Sequence, residues 1–176
     1  MVAADNRPKR EDTTVTSDLE NTLYLDVPAG RVVIALRPDL APNHVARIKE
    51  LAREEFYDGI VFHRVIEGFM AQTGCPRGDG TSGSGKPNLK AEFSATNHGR
   101  GVCSMARTND PNSADSQFFI CLADASFLNK QYTVWGEVTS GMEFIDAIKK
   151  GDSKRNGTVV GPDKIVSMRV AADVAT

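Results

Sequence analysis

Short apolar runs separated by turn residues dominate the chain from residue 22 onward. Leu23 and Leu25 recur with period two, and a Pro-Ala-Gly turn at 28–30 leads into the β-branched run 31–36, a combination that predicts a β-hairpin. Further strand-like runs occupy residues 60–66, 69–73, 102–106, 117–121, 132–138 and 164–171. Since strands outnumber helices and no βαβ alternation or internal repeat occurs, the pattern predicts a mainly β fold, a closed or nearly closed antiparallel barrel.

Two segments have a helical pattern instead. Between Pro42 and Phe56, apolar residues recur at three- and four-residue spacing, and Pro42 suits a first helical turn because its missing N–H has no partner there. A second helix is expected after Ser140, which forms the Ser-x-x-Glu sequence of a capping box with Glu143.

Charge and composition exclude several classes of protein. The 176 residues carry 21 Lys and Arg against 23 Asp and Glu. The small acidic excess lies within residues 1–20, so residues 21–176 are formally neutral, which argues against a nucleic-acid partner. The longest unbroken aliphatic run, Val32–Leu36, is far shorter than the ~20 residues that span a bilayer, so no membrane association is expected.

The N-terminal residues predict an arm outside the folded domain. Residues 1–20 are polar and have no apolar periodicity, so we expect a flexible arm there and one domain over residues 21–176. The arm lacks the apolar stretch of a signal peptide. Three cysteines without regular spacing are typical of a reducing compartment, so the cytoplasm is the expected location and a monomer the default state.

Several other kinds of chemistry find weak support. Segment 80–87 satisfies Gly-x-x-x-x-Gly-Lys, but Pro87 stands where a phosphate-binding loop has its magnesium-binding Ser or Thr. We interpret it as part of the Gly-rich loop 74–90, whose length is typical of functional or mobile loops. The three histidines lie far apart in sequence and no Cys-x-x-Cys occurs, which disfavours a metal site. No Gly-x-Ser-x-Gly elbow is present, although spacing alone leaves a nucleophilic triad open.

Polar residues interrupt the apolar strands in an unusual way. Arg64 stands in run 60–66, where period two places it on one face with Phe62 and Ile66. Gln72 similarly shares a face with Met70. A guanidinium in such a strand must find a partner or line a groove, because burying it unpaired is prohibitive.

The pattern alone leaves two interpretations. Gln117 shares a strand face with Phe119 and repeats the arrangement. In one interpretation Phe69, Met70 and Phe119 are ordinary core residues and Arg64 is a satisfied strand arginine, which the pattern by itself favours. In the other, these residues line a binding groove.

Three longer segments resemble a known family. The sequences at 62–74 (FHRVIEGFMAQTG), 104–120 (SMARTNDPNSADSQFFI) and 127–136 (FLNKQYTVWG) are similar to those of the cyclophilin family of peptidyl-prolyl cis/trans isomerases, and the likeness extends over about residues 22–172. The resemblance implies an eight-stranded antiparallel β-barrel closed by two α-helices, with the active groove on the outside of the barrel.

The resemblance also implies the site. The family's catalytic positions fall on Arg64 and Gln72 of this sequence. Its substrate-binding positions fall on Phe69, Met70, Ala106, Arg107, Gln117, Phe119, Phe127, Leu128 and Tyr132. It implies rotation about X–Pro bonds without metal or cofactor. The expected partners are proline-containing peptides and unfolded or folding proteins; the alternative is a non-catalytic module that binds proline peptides.

Three positions depart from the common family pattern. Phe127 stands where strongly cyclosporin-binding members have Trp, Tyr132 where many eukaryotic members have His, and Arg107 where Asn is common. All three resemble substitutions found in bacterial cyclophilins. Phe127 lacks the indole N–H donor, so weak cyclosporin binding is expected.

Overall fold

The computed structural model describes residues 18–174, so residues 1–17 of the predicted arm and residues 175–176 lie outside it. Eight strands pair in a single antiparallel sheet. Their bounds are β1 (Thr22–Val27), β2 (Gly30–Leu36), β3 (Arg64–Ile66), β4 (Met70–Thr73), β5 (Val102–Met105), β6 (Phe118–Cys121), β7 (Val134–Ser140) and β8 (Ser167–Val170).

Two α-helices accompany the sheet, α1 (Pro42–Arg53) and α2 (Met142–Asp146). Helix α1 packs against β7 and β8, and α2 packs against β2. Four short 3₁₀ turns complete the regular structure, at Leu19–Asn21, Ser126–Leu128, Ser153–Arg155 and Ala171–Asp173. Among residues 18–174, no helix has the length and apolar character needed to cross a bilayer.

The sheet curls until its two edges meet. The strand order is β3-β4-β6-β5-β7-β2-β1-β8, so β3 and β8 lie at opposite edges. The segments next to these strands pair across the gap: Val61 bridges Lys164, and the Phe62 N–H donates to the Asp163 carbonyl at 2.9 Å. Closure of this kind removes the exposed edges of a sheet. The prediction of a mainly β, eight-stranded antiparallel barrel with two helices is confirmed.

Aromatic side chains centre the main core inside the curled sheet. The Trp135 and Phe118 rings meet edge to face at 5.3 Å between centroids, and Tyr57 meets Phe118 in the same way at 5.5 Å. The Tyr57 hydroxyl donates to the Ser116 carbonyl at 2.8 Å, which satisfies a buried phenol. This contact anchors the residue before Gln117 to the core.

Helix α1 begins at Pro42, as predicted, but a distant residue caps it. The backbone N–H groups of Asn43 and His44 donate to the Glu92 carboxylate at 3.2 and 2.9 Å. These amides have no partner within the helix, and a negative charge at a helix N-terminus is favourable. Glu92 therefore ties the loop that precedes β5 to the helix.

Two local predictions were wrong. Ser140 is the last residue of β7 rather than a cap, and Gly141, with no side-chain cap bond, precedes α2. Phe62 lies in the main core with Val65, whereas Ile66 belongs to a separate apolar cluster. Regular strand pairing begins only at Arg64, so period two does not extend back to Phe62.

We expect Gly141→Ala to destabilise the protein more than Gly59→Ala. Both glycines have left-handed backbone, with φ of 85° and 81°, where an alanine costs about 1–2 kcal/mol. A Cβ at Gly141 would also lie 2.5 Å from the Arg31 carbonyl oxygen, whereas one at Gly59 would meet nothing within 4 Å. Urea denaturation measures both free energies of unfolding. Equal losses would contradict the close-approach argument.

Candidate active site

The outer face of the sheet carries a second apolar cluster, separate from the main core. Along β4 and β6 the faces alternate: Ala71, Phe118 and Ile120 enter the main core, while Met70 and Phe119 join the outer cluster. The predicted faces of Gln72 with Met70 and of Gln117 with Phe119 follow this alternation. The site therefore forms on the outside of the barrel, where an extended peptide could reach it.

A cavity of about 190 Å³ opens over this outer cluster. Nine of the eleven residues predicted for the site line it: Arg64, Phe69, Met70, Gln72, Ala106, Arg107, Phe119, Leu128 and Tyr132. Met70 and Phe119 are almost fully buried and form its apolar floor. An apolar floor beside a few polar groups is the usual composition of a binding pocket.

Arg64 lies at the edge of the cavity, at the first residue of β3. It is half-buried and stands opposite Gln72 in the β3–β4 pairing. Its Nη1 donates to Gln72 Oε1 at 3.0 Å, its Nε to the Asn156 carbonyl at 2.9 Å, and its Nη2 to Asn156 Oδ1 at 3.2 Å. Burial lowers the pKa of this guanidinium. All three acceptors are neutral.

A chain of amide hydrogen bonds extends from Arg64 into the Gly-rich loop. Gln72 Nε2 donates to Gln117 Oε1 at 3.1 Å, and Gln117 Nε2 donates to the carbonyls of Gly80 and Ser82, both at 3.0 Å. Each bond fixes the orientation of the next amide, so the Gln72 oxygen faces Arg64. The segment that imitates a phosphate-binding loop thus supplies carbonyl acceptors to the site.

A second cavity, of about 500 Å³, adjoins the first and shares Gln72, Ala106 and Arg107 with it. Gln117 lines this larger cavity. The Ala106 N–H donates to the Gln117 carbonyl at 2.9 Å. Within residues 18–174, the Ala106 carbonyl and the Arg107 N–H form no hydrogen bond, so both remain available to a ligand backbone.

Arg107 and Tyr132 form one wall of the first cavity. The Arg107 guanidinium lies 4.6 Å from the centroid of the Tyr132 ring, and its Nε and Nη2 donate to the Gln131 carbonyl at 3.0 and 2.7 Å. The Tyr132 ring in turn meets Phe119 edge to face at 5.7 Å. Arg107 is therefore held against the wall by cation–π contact and carbonyl acceptors.

Phe127 does not line either cavity. It lies in the 3₁₀ turn before Leu128, is 66% exposed, and its ring centroid is 5.5 Å from that of Phe69. The half-buried Phe69 and the exposed Phe127 form an aromatic rim at the first cavity.

A family model described as "Cyclophilin type peptidyl-prolyl cis-trans isomerase/CLD" matches residues 22–170. The chain belongs to this cyclophilin family. The activity of this family, and of this chain as a member, is peptidyl-prolyl cis-trans isomerisation. A probable peptidyl-prolyl cis-trans isomerase of Brucella suis is 52% identical over 172 residues, covering 92% of this chain and 88% of the relative. Peptidyl-prolyl cis-trans isomerase B of Bacillus subtilis is 42% identical over 139 residues, covering 78% and 96%.

Solved structures agree with this assignment. The cyclophilin AquaCyp293 of Hirschia baltica superposes with a TM-score of 0.78 at 29% identity, covering 89% of this chain and 76% of that one. A Cryptosporidium parvum cyclophilin, crystallised in the presence of the dipeptide Ala-Pro, has the same fold with a TM-score of 0.78 at 24% identity, covering 85% and 98%.

Sequence reasoning missed two residues that support the candidate site. Asn156 holds Arg64, as described above. His98 stacks behind Phe119 at 6.2 Å between ring centroids, with its Nδ1 3.1 Å from Asn129 Oδ1 and its Nε2 3.0 Å from Ser104 Oγ. The sequence singled out His98 only as a weak candidate for metal binding. Its position behind the pocket floor depends on pairings between distant segments.

All three histidines of the cyclophilin are buried. Burial lowers the pKa of His44, His63 and His98 below the ordinary value of 6.5, although the Glu92 carboxylate opposes the shift at His44. The folded protein therefore binds these protons less tightly than the unfolded chain does. Stability is retained above about pH 6.5 and is lost as the pH falls from there toward the folded-state pKa values.

We expect urea denaturation to give a lower free energy of unfolding at about pH 5.5 than at about pH 7.5, because histidine is the side chain whose ordinary pKa lies in this range and burial lowers the pKa of all three histidines. His98→Gln removes one of the three groups and should reduce the difference between the two pH values, whatever it does to stability at either one. Equal free energies of unfolding at both pH values would contradict the prediction.

Proposed function

We propose that this cyclophilin isomerises X–Pro bonds by holding the proline ring in the first cavity and donating a hydrogen bond from Arg64 to the prolyl nitrogen. The observation that carries the proposal is a half-buried guanidinium at the edge of an apolar pocket, held only by neutral acceptors. Phe69, Met70 and Phe119 would grip the pyrrolidine ring. Gln72 would orient the guanidinium and hold the carbonyl region of the substrate.

The chemistry requires selectivity for a twisted amide. The planar amide resists rotation with a barrier of ~18–20 kcal/mol because its C–N bond has partial double-bond character. At the midpoint of rotation conjugation is lost, and the prolyl nitrogen gains a lone pair that accepts a hydrogen bond. Arg64 can donate to this lone pair and not equally well to the planar amide. Only such an interaction, stronger in the transition state, accelerates the reaction.

One hydrogen bond from Arg64 would not lower the barrier to rotation enough by itself. Uncatalysed isomerisation takes ~10–100 s, so reaching milliseconds requires lowering the barrier by roughly 5–6 kcal/mol. A charge-assisted hydrogen bond supplies ~1.5–3 kcal/mol. The remainder would come from positioning the ring on the apolar floor and from partial desolvation of the amide.

The expected substrates are proline-containing segments of unfolded or folding proteins, so the enzyme would assist folding. Free backbone groups at Ala106 and Arg107, next to the ring pocket, favour an extended peptide over an isolated small molecule. The Ala-Pro dipeptide used with the Cryptosporidium relative supports the same substrate class.

We propose a cytoplasmic monomer without nucleic-acid, membrane, metal or cofactor partners. A non-catalytic peptide-binding module would not need an uncompensated guanidinium beside the pocket.

We expect Arg64→Ala to lower kcat by about 10- to 100-fold, the equivalent of one charge-assisted hydrogen bond. Peptide affinity should change by less than about three-fold because the apolar floor stays intact. A protease-coupled assay measures turnover, and NMR titration with a proline peptide measures affinity.

Arg31→Ala is a matched control for this variant, since Arg31 is an exposed strand arginine that pairs with Asp26 away from the site. It should leave turnover unchanged. The melting temperature of Arg64→Ala should fall by no more than a few degrees, because water can reach most of the acceptors it leaves. Near-normal turnover, or a loss explained by unfolding, would refute the catalytic role.

Cyclosporin should inhibit this enzyme weakly, and Phe127→Trp should strengthen inhibition by supplying an indole N–H donor. Phe127 is 66% exposed, so a larger ring fits without disturbing the core, and kcat/KM should change little. Phe93→Trp, at another exposed phenylalanine, is the control and should not affect inhibition. Nanomolar inhibition of the unaltered enzyme would contradict this prediction.

A further inference from the structure

One residue outside the predicted site makes two of the three side-chain hydrogen bonds of Arg64. Asn156 accepts from Nε through its backbone carbonyl and from Nη2 through Oδ1, while Gln72 accepts from Nη1. These bonds engage both edges of the planar guanidinium and leave one N–H on each terminal nitrogen for a substrate. Asn156 and Gln72 together therefore fix the plane of the group.

The position of Asn156 is fixed in turn by the strand that carries Arg64. Asn156 has left-handed backbone, with φ of 60° and ψ of 28°, at the end of the turn Ser153–Arg155. Asparagine tolerates this conformation better than most residues. The Val65 N–H donates to the Gly157 carbonyl at 2.9 Å, and the Gly151 N–H donates to the Val65 carbonyl at 2.8 Å. The loop is thus attached to β3 by backbone hydrogen bonds on both sides of Asn156.

The neutrality of Asn156 distinguishes Arg64 from most other arginines among the described residues. Within residues 18–174, no carboxylate forms an ion pair with Arg64, whereas Asp or Glu side chains pair with Arg31, Arg37, Arg47, Arg53, Arg100 and Arg169. Aspartate has nearly the shape of asparagine and also tolerates left-handed backbone, so a carboxylate would fit at this position. It would partly neutralise the charge that the reaction uses.

We propose that Asn156 is a positioning residue that orients the Arg64 guanidinium with neutral acceptors and so leaves its charge for the twisted amide. The inference rests on the proposed role of Arg64. Arg64 would need both a fixed orientation and an uncompensated charge, and substitution of Arg64 itself removes both at once.

Two variants separate the two requirements. Asn156→Gly keeps the left-handed backbone and the carbonyl acceptor but removes Oδ1, and should lower kcat by about three- to ten-fold through looser positioning. Asn156→Asp keeps the shape and adds a negative charge, and should lower kcat by about ten-fold or more. KM should stay within about two-fold in both, since the proline pocket is untouched.

Glu55→Gly is the matched control, because Glu55 is another exposed non-glycine residue with left-handed backbone, at φ of 59°, and lies outside both cavities. It should leave kcat and KM unchanged. Melting temperatures of all variants show whether a loss of activity reflects unfolding. Wild-type kcat for Asn156→Asp would overturn the proposal.

A double-mutant cycle tests whether Asn156 acts through Arg64. In the Arg64→Ala background, measured by NMR exchange at high enzyme concentration, each Asn156 change should alter the residual kcat/KM by less than about two-fold. Equal losses with and without Arg64 would show a merely structural role for the loop and refute the proposal. Retained turnover by Arg64→Ala alone would instead refute the proposed role of Arg64.

Discussion

The register of β4 between β3 and β6 is the constraint on which this site depends. In the sheet Arg64 lies opposite Gln72, and Gln72 lies opposite Phe119. Ala71 and Phe118, one residue along, face the main core. A one-residue slip would exchange the faces, bringing polar side chains into the core, so burial of the core specifies the register strongly. The same hydrophobic effect that folds the barrel therefore assembles the site on its outer face.

The neutral hydrogen-bond acceptors around Arg64 stabilise its charge less than a carboxylate partner would. Desolvation disfavours the charged form of Arg64, and its neutral acceptors compensate only through hydrogen bonds. A carboxylate partner would stabilise the folded state more but would reduce the charge available to a substrate. The hydrogen-bonded amides of Gln72 and Gln117 orient the Arg64 guanidinium without adding a charge.

How far the sequence predicts this structure depends on the range of the interactions. The hairpin and α1 follow from local periodicity, and the resemblance supplied the site residues. The predictions for Phe62 and Ser140 were wrong because strand ends are set by tertiary pairing: β3 is shorter than run 60–66, and β7 begins and ends two residues later than run 132–138. His98 and Asn156 were missed because their roles arise from hydrogen bonds across distant segments. The Asn-Gly pair at 156–157 indicates a turn but not the arginine that the turn would meet.

Two arginines line the same cavity, and their partners give them different roles. Arg107 lies over the Tyr132 ring, which contacts Phe119, which stacks on His98. Two departures from the common family pattern, at 107 and 132, thus belong to a single wall of contacting side chains. The Arg107 guanidinium is attracted to the π face of the Tyr132 ring in that wall. Within residues 18–174, no aromatic ring lies under the Arg64 guanidinium in this way. In the proposed mechanism its remaining N–H groups are therefore the ones left for a substrate, so that packing shapes the pocket and Arg64 supplies the charge.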